Sequence, residues 1–418
     1  MDYVPHTEAE IASMLGDIGL ASLDDLWEAI PEALRLATGD FDVRPGLSEP
    51  DTLAEVERLA AANQSLLCFA GGGAHDHEVP ATVRRLAFRS EFVTAYTPYQ
   101  PEVAQGVLQA LFEYQTLLCR LTGMEVANAS LYDGATALVE AVNLGVAASG
   151  NQRVWVSDRV NPQWVDVVRT FAAGTGHQLE IGATPPDGVG VVVVQSPDYY
   201  GVVGQDITAP DGAKTVAVFD PVALGLLRPP VADVAVGEGQ PFGTPLSFGG
   251  PYLGLFATHM EHVRRLPGRL VGETVDTEGR RAYVTTLRTR EQDIRREKAS
   301  SNVCTNQTLI AVAWAIQLSW LGTSGLRDLA LRCARGTRYT REATLAIDGI
   351  DAWSDAPVFR EFAVRLPINA TAVIERMAEE GFLAGTAIGE DAMLIAVTER
   401  RTRDEIDRYV ATLQKVIS

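Results

Sequence analysis

Short runs of consecutive apolar residues recur through the middle of the chain. Val191–Val194 is one such run, Val216–Phe219 is a second and Val234–Val236 is a third. Runs of this length, rich in valine, are typical of strands that are buried on both faces of a parallel sheet. Val154–Val156 and Leu253–Thr258 predict two further strands. Helical and polar segments separate these runs, so we predict an α/β domain with a mostly parallel sheet.

Helix-start signals dominate the first sixty residues. Thr7 and Glu10 have the spacing of a capping box, and Ser22 and Ser48 each precede acidic residues in a similar way. Beyond them, apolar residues at helical spacing predict a long helix that starts at Glu102 and ends near residue 123.

The last sixty residues mix two candidate strands, at 359–366 and 393–397, with two candidate helices, at 371–380 and 403–416. This mixture is typical of a small α+β unit. The predicted division of the chain has three parts: an N-terminal helical arm (1–65), a large α/β domain (66–330) and a small C-terminal α+β domain (331–418).

The charge balance narrows the classes of partner. The chain has 54 acidic and 35 basic side chains, a formal net charge of −19. Such a surface repels phosphate backbones, so nucleic-acid binding would need a local basic patch. The first ten residues are acidic and polar, unlike a signal peptide, and the apolar run around 309–321 is too short for a membrane span. We expect a cytoplasmic protein that binds neither nucleic acid nor membrane.

Glycine-rich turns and a histidine pair are weak signals of ligand binding. Gly71–Gly73 and Phe248–Pro251 lack the spacing of a dinucleotide fold or a P-loop, which favours tight turns. His75 and His77, on either side of Asp76, have no further ligands nearby in sequence. The four cysteines are scattered, without a C-x-x-C spacing. We therefore predict no metal site, and hydrogen-bonding roles for the histidine loop.

Two loops precede predicted helices and deserve a chemical interpretation. The Tyr96–Pro101 loop places two phenols and two prolines before a helix N-terminus, where free N–H groups favour an anion. A rigid packed turn is the alternative. Leu131–Thr136 also opens a helix, as do loops that bind a cofactor phosphate, but the carboxylate of Asp133 would repel a phosphate unless it is neutralised.

Long motifs along the chain resemble one protein family. The stretches that carry the resemblance are Thr94–Glu102, Ala127–Ala137, Gly237–Gln240, Phe248–Gly254, Pro267–Thr274 and Ile294–Thr305. From about residue 3 to the last helix, the sequence resembles subunit 1 of the glycine cleavage system P-protein, the alpha chain of two-chain glycine dehydrogenase (decarboxylating). His75 departs from the pattern, because the family usually has a tyrosine at that position.

The resemblance implies a fold-type-I, aminotransferase-like architecture and an α2β2 assembly with a beta subunit. Pyridoxal phosphate would be held covalently by a lysine of the beta subunit, and glycine would lose its carboxyl group as CO2. The aminomethyl group would pass to the lipoamide of the H-protein. The implied active-site contributors in this chain are Tyr96, Thr97, Tyr99 and Gln100, with Asp76 and His77 in support. Arg296 and Lys298 are implied to meet an anionic substrate or the subunit interface.

Lysine is scarce in this chain, with only Lys214, Lys298 and Lys415 present. A pyridoxal-phosphate enzyme needs a lysine to bind its cofactor as a Schiff base, normally just after a strand of the large domain. The stretch after Val234–Val236 instead contains Gln240, which cannot form a Schiff base. Lys214 precedes a predicted strand, Lys298 lies in a mixed-charge stretch, and Lys415 is close to the last residue. We predict that no catalytic lysine is present.

Two other hypotheses stay open at this point. The chain could be a non-catalytic scaffold or regulatory paralogue of a pyridoxal enzyme, which the missing lysine favours equally. A scaffold would tolerate loss of the Tyr96–Gln100 side chains. Alternatively, a self-sufficient pyridoxal enzyme that uses Lys214 would show the absorption band of the lysine-bound cofactor in the purified chain alone.

Overall fold

The computed structural model describes residues 5–36, 44–93, 98, 100–204, 208–287, 299, 301, 303 and 306–418. Its internal contacts divide the chain into two compact units, residues 1–64 and 65–418. The described residues of the first unit form two α-helices, α1 (Glu8–Asp17) and α2 (Glu49–Ala61), and two short 3-10 turns.

The start signals of the first unit form as predicted. The Thr7 hydroxyl accepts a hydrogen bond from the Glu10 N–H at 3.3 Å, and the Glu10 carboxylate accepts the Thr7 N–H at 2.7 Å. Ser48 caps α2 through the N–H of Asp51. The signal at Ser22, by contrast, precedes only a 3-10 turn.

The second unit contains the remaining helices and all the described strands. Its helices are α3 (Ala81–Ala87), α4 (Ser90–Val93), α5 (Pro101–Thr122), α6 (Gly134–Ser149), α7 (Pro162–Thr175), α8 (Thr308–Leu345), α9 (Ala370–Glu379) and α10 (Arg403–Ile417). Its strands are β1 (Leu67–Cys68), β2 (Val126–Ala127), β3 (Arg153–Ser157), β4 (Gln178–Gly182), β5 (Val191–Ser196), β6 (Lys214–Phe219), β7 (Val234–Glu238), β8 (Gly254–Thr258), β9 (Leu270–Val275), β10 (Arg281–Thr286), β11 (Asp351–Ala352), β12 (Glu361–Arg365), β13 (Phe382–Leu383), β14 (Thr386–Ala387) and β15 (Ala392–Ala396).

Seven strands form the central sheet, in the order β2-β8-β7-β6-β5-β3-β4. The pairs from β7 through β4 are parallel, whereas β8 runs antiparallel to both β7 and β2. The mostly parallel sheet predicted from the valine runs is therefore confirmed.

Alternate residues of these strands face two different apolar cores. On β6, Ala217 and Phe219 pack in the core that includes residues of α5 and α8. Val216 and Val218 point the other way, into the core that includes residues of α6 and α7. Because both faces are covered, every position of these strand centres is apolar, which explains the continuous runs in the sequence.

The last part of the chain forms a four-stranded antiparallel sheet, β11-β12-β15-β14, covered by α9 and α10. β1 pairs with β13 in parallel, and the Phe69 side chain that follows β1 stacks on Tyr409 with ring centroids 4.1 Å apart. Helix α8 leads from the central sheet to this part, so the boundary predicted between residues 330 and 331 lies inside a helix. Gly322, at φ +60°, kinks α8 before that boundary.

Most predicted elements of the second unit are present. The long helix is α5, and it ends at Gly123, whose φ of +73° terminates it. The sequence interpretation missed the short helices α3 and α4, the strand β4 and the β9–β10 hairpin, and it also missed the two-residue strands β1, β2, β11, β13 and β14. The mixed-charge stretch around residues 290–298 lies outside the described residues.

Helix α8 is long and apolar enough to cross a membrane by length and composition alone. In this structure Ala311, Trp314 and Leu318 of α8 are buried in the core that it shares with α5. A core helix of a large domain meets the same criteria.

Candidate active site

Polar side chains collect where the parallel strands end. Asp220 follows β6, Gln240 follows β7 by two residues, and Asn161 caps α7 after β3. The carboxyl ends of parallel strands share one edge of a sheet, which is where α/β proteins bind ligands. We take this edge as the candidate site.

Gln240 is completely buried at this edge, and its amide group is fully used. The Oε1 atom accepts the N–H of His75 at 3.0 Å, and Nε2 donates to the carbonyls of His75 and Thr244, both at 2.9 Å. The glutamine therefore holds the backbone of the loop that carries His75. An amide with three such bonds offers neither a nucleophile nor an amine.

The glycine-rich loop lies across the same edge. The Asn161 Nδ2 donates to the carbonyl of Gly72 at 2.9 Å, and the Gly72 N–H donates to Glu361 at 2.6 Å. Together with Gln240, these bonds fix residues 71–77 against the ends of β3 and β7. The tight-turn interpretation of Gly71–Gly73 agrees with this arrangement.

The described lysines lie elsewhere. Lys214 is the first residue of β6, at the opposite end of the strand from Asp220, and its Nζ lies 2.9 Å from Asp233 and 3.5 Å from Glu261. Lys415 is exposed on α10 and pairs with Glu380 at 2.8 Å. Lys298 lies outside the described residues. The geometry gives Lys214 a structural ion pair and no access to the carboxyl edge, which argues against a self-sufficient enzyme that uses it.

A buried ion-pair chain occupies the centre of the edge. The guanidinium of Arg360 lies 2.6 Å from Asp220 and donates to Nε2 of His77 at 2.9 Å. Because a guanidinium can only donate, Nε2 accepts and the proton of His77 lies on Nδ1, 2.7 Å from Glu399. Burial acts to raise the pKa of Glu399, but the bonds from His77 and the Glu78 N–H lower it to about 2.

His75 belongs to a second pair. Its Nε2 lies 3.0 Å from Glu361, which also accepts the N–H of Gly72. Burial lowers the pKa of the His75 imidazole, and the nearby Arg360 lowers it further. Burial acts to raise the pKa of Glu361, yet His75 and Arg360 bring it below its ordinary value. His75 and His77 thus have separate acidic partners and do not converge on one ion.

Two clusters of potential metal ligands occur among the described residues: His77, Cys333 and Glu399, and Asp233, Glu261 and His262. Each already has a cation of the chain beside it, Arg360 in the first and Lys214 in the second. A metal ion would therefore meet a fixed positive charge at either cluster.

Glu238, the last residue of β7, is the least expected group of the edge. Its Oε1 accepts the N–H groups of Gln240 at 2.9 Å and Leu253 at 3.0 Å, and its Oε2 accepts the N–H of Gly134 at 2.9 Å. Gly134 is the first residue of α6. Burial raises the pKa of Glu238 to about 8, and the three N–H donors act against that rise.

Two hollows flank this group of residues. The inner cavity has a volume of about 50 Å³ and is lined by His75, Asp220, Glu238 and Arg360, among others. The outer cleft has a volume of about 370 Å³ and lies between the glycine-rich loop, the start of α6, Trp164 and Tyr252. The inner cavity has room for a few water molecules, far less than the roughly 300 Å³ of a small ligand pocket.

The predicted site residues fall into three groups. Those outside the described residues are Tyr96, Thr97, Tyr99, Arg296 and Lys298. Gln100 is exposed and directly precedes α5, without a side-chain cap to that helix. Asp76 pairs with Arg400 at 2.5 Å and Arg401 at 3.2 Å, and His77 pairs with Glu399, so both side chains bind the C-terminal part of the chain.

The sequence interpretation missed three central residues of the edge: Asp220, Glu238 and Arg360. Asp220 had a usable signal, because it directly follows a buried valine-rich strand. Glu238 lies within a quoted motif, but its partner Gly134 is 104 residues away. Arg360 arrives from the start of β12 with a φ of +60°, which no local pattern indicates.

The sheet order, the site at the carboxyl ends and the C-terminal antiparallel sheet define the class of fold-type-I pyridoxal-phosphate enzymes. Glutamate decarboxylase of Lactobacillus brevis shares this fold, with a TM-score of 0.67 at 10% identity over 94% of this chain and 97% of the other. At that identity the likeness concerns the fold alone.

Closer relatives give the family. Residues 1–413 match the family model of the glycine cleavage system P-protein, so the chain belongs to that family. It is 45% identical to the probable glycine dehydrogenase (decarboxylating) subunit 1 of Chlorobium chlorochromatii (strain CaD3), with 99% of each chain covered. The corresponding protein of Geobacillus kaustophilus (strain HTA426) is 44% identical over 98% of each chain. A crystal structure of an inhibitor-bound glycine decarboxylase (P-protein) matches with a TM-score of 0.89, 43% identity and full coverage of both chains.

On this chain the candidate site does not fit pyridoxal phosphate. Gln240 lies where the Schiff-base lysine is expected, and Arg360 already neutralises Asp220. The inner cavity between them, at about 50 Å³, is too small for a substituted pyridine ring. No chemical step is therefore assigned to a cofactor bound at this edge.

Proposed function

We propose that the chain is the non-lysine-bearing alpha subunit of a glycine dehydrogenase (decarboxylating). In this proposal a beta subunit binds pyridoxal phosphate covalently through its own lysine, the two chains form an α2β2 assembly in the cytoplasm, and lipoyl H-protein accepts the aminomethyl group. The cofactor supplies the electron sink for decarboxylation when it is bound to the partner. Family membership supports the reaction, and the burial of Gln240 with all its bonds satisfied carries the assignment of the alpha role.

This chain would contribute positioning and recognition. Gln100 is exposed at the start of α5, and the backbone of α5 departs from helical geometry at Ala104, so the first turn stands apart from the body of the helix. We propose that this loop, with Tyr96, Thr97 and Tyr99, contacts substrate or cofactor held by the partner. Arg296 and Lys298 are proposed to meet an anionic group or the partner surface.

Asp76 and His77 would act indirectly. The ion pairs of Asp76 with Arg400 and Arg401, and the hydrogen bond of His77 to Glu399, tie the glycine-rich loop to the C-terminal part of the chain. We propose that they support the geometry of the site without touching substrate.

Reconstitution tests the proposal. The chain is co-expressed with a lysine-bearing beta chain, and exchange of labelled bicarbonate into the carboxyl group of glycine is measured with lipoyl H-protein present. We expect exchange only with both chains. The double variant Tyr96→Phe, Tyr99→Phe should lower exchange roughly tenfold or more without loss of the complex, because phenol donors are removed from the reacting region.

Tyr339→Phe is the matched control, since it also removes a phenol, one that bonds Asp407 on the surface of α10. Exchange in that variant should equal the unmodified complex. If the double variant retains full exchange, the site assignment is wrong and the scaffold hypothesis is favoured. If no complex forms with any lysine-bearing chain, the alpha-subunit proposal itself fails.

A further inference from the structure

Three backbone N–H groups at the carboxyl edge point at one carboxyl group. We call the N–H groups of Gly134, Gln240 and Leu253 the N–H cluster; all three donate to Glu238 at 2.9–3.0 Å. We propose that Glu238 fills an anion-binding position at the N-terminus of α6, and that this residue determines that the chain takes no phosphorylated ligand there.

The start of α6 has the properties of an anion site. The helix has 16 residues, so its free N–H groups and its dipole favour a negatively charged or acceptor-rich group at Gly134. The N–H groups of Gln240 and Leu253 come from two neighbouring strand ends and converge on the same point. Three donors from three different segments are more than a helix cap needs, and they match the several acceptor oxygens of a phosphate.

The chain satisfies this position from within. Glu238 is only 8% exposed, and both of its oxygens are used by the N–H cluster. Asp133 caps the first turn, because its Oδ1 accepts the N–H of Thr136 at 2.8 Å. A phosphate at this position would have to displace the Glu238 carboxyl group from the N–H cluster, and the carboxyl group of Asp133 lies beside it.

Access explains why a single residue decides the specificity. The outer cleft of about 370 Å³ reaches both Asp133 and Glu238, so a small anion has a path to the start of α6. Trp164 packs directly on Gly134, where an added Cβ would lie 2.2 Å from the indole ring. The indole therefore closes the side of the first turn next to the Gly134 Cα, and the Glu238 side chain fills the position that faces the N–H cluster.

This inference deepens the proposed function, because it gives a reason why the cofactor belongs to the partner. It concerns this chain alone, however, so its test needs no partner and no activity. A failure of reconstitution would leave it standing, and its own failure would leave the proposed function standing.

Inorganic phosphate is the probe. Thermal unfolding of the full-length chain is measured in phosphate and in chloride at equal ionic strength, and phosphate binding is measured by calorimetry. We expect no site-specific binding to the unmodified chain, and at least roughly tenfold tighter binding to Glu238→Ala, with a rise in its Tm in phosphate. If Glu238→Ala folds poorly in chloride, phosphate should restore its folding.

Glu361→Gln is the matched control, because it also alters a buried carboxylate that accepts a backbone N–H, that of Gly72, away from α6. It should gain no phosphate binding, which separates the site from the general stabilisation of proteins by phosphate. The proposal is overturned if the unmodified chain binds phosphate as tightly as Glu238→Ala. It is equally overturned if Glu238→Ala neither binds phosphate nor is rescued by it.

Discussion

The two ends of the central sheet both contain buried charge, but they use it differently. At the amino end, Lys214 and Asp233 form an ion pair in which both side chains keep about a quarter of their surface exposed, 26% and 22%. At the carboxyl end, Arg360 and Asp220 are 6% and 13% exposed, and Arg360 extends the pair to His77. Lys214 thus lies at the end where its charge is partly solvated, whereas the Arg360–Asp220 pair lines an inner cavity of only about 50 Å³.

Among the substitutions that test this comparison, removal of Arg360 should lower the free energy of unfolding the most. Arg360→Met leaves Asp220 as an unpaired buried charge, and we expect the free energy of unfolding to fall by about 3–5 kcal/mol. Lys214→Met is the control at the amino end, where solvent screens Asp233, and it should cost about 1 kcal/mol or less. Urea unfolding of the full-length chain measures both. Equal losses at the two ends would refute the distinction.

Substitution of Gln240 should have the second-largest effect on the free energy of unfolding. Gln240→Leu leaves the buried N–H of His75 without a partner and removes one donor from the carbonyls of His75 and Thr244, for an expected cost of about 1–3 kcal/mol. Gln115 makes the same two-way bond with the backbone of Val271, so Gln115→Leu is matched in chemistry. Hydrogen exchange distinguishes them: faster exchange in residues 71–78 is expected for Gln240→Leu only. Unchanged exchange there would contradict the role of Gln240 in holding the loop.

The pH dependence of stability should be opposite in sign for two glutamates. The folded pKa of Glu238, about 8, lies above its ordinary value of 4.5, so its stabilisation is full below about pH 4.5 and is lost as pH rises toward 8. Relative to Glu238→Gln, the unmodified chain should lose at most about 1.4 kcal/mol per pH unit in that window. Unfolding free energies of both proteins, measured across the window, test the sign. The prediction is contradicted if the unmodified chain gains stability relative to Glu238→Gln as pH rises.

Glu399 provides the reverse case. Its folded pKa of about 2 lies below 4.5, so its stabilisation relative to Glu399→Gln is present above about pH 4.5 and is lost as pH falls toward 2. The same titration therefore compares a carboxyl group held by backbone N–H groups with one held by His77.

The last substitution, Gln240→Lys, should have no effect on cofactor binding. Gln240→Lys restores a lysine after β7, but Glu238 and the Arg360–Asp220 pair still fill the site. We expect no cofactor absorption band when pyridoxal phosphate is added to the full-length variant. A stable band would show that the missing lysine alone had prevented binding.

Much of the fold could be predicted from local patterns. Valine runs identified the buried strands, and the caps at Thr7 and Ser48 identified helix starts, because both signals depend on neighbours in sequence. The hairpin β9–β10 escaped, since it lies outside the central sheet and lacks a continuous apolar run. The prediction that Gln240 occupies the position of the Schiff-base lysine depends on the strand that precedes it, β7, which is present.

The site itself was harder to predict. The bonds that define it join Glu238 to Gly134, Gln240 to His75 and Arg360 to Asp220, pairs that only the fold brings together. Residue type alone did not indicate a role for Glu238 or Arg360, because a glutamate in a strand or an arginine in a turn is common on a protein surface. Their importance follows from burial, which makes each unpaired group costly.

The most direct test of the account is the cofactor content of the reconstituted complex. The chain is purified with its beta partner, the protein is denatured, and the released pyridoxal phosphate is quantified against the number of chain pairs. The account predicts one cofactor for each alpha–beta pair and none for this chain alone. Two cofactors per pair, or a stable complement on this chain without its partner, would contradict it.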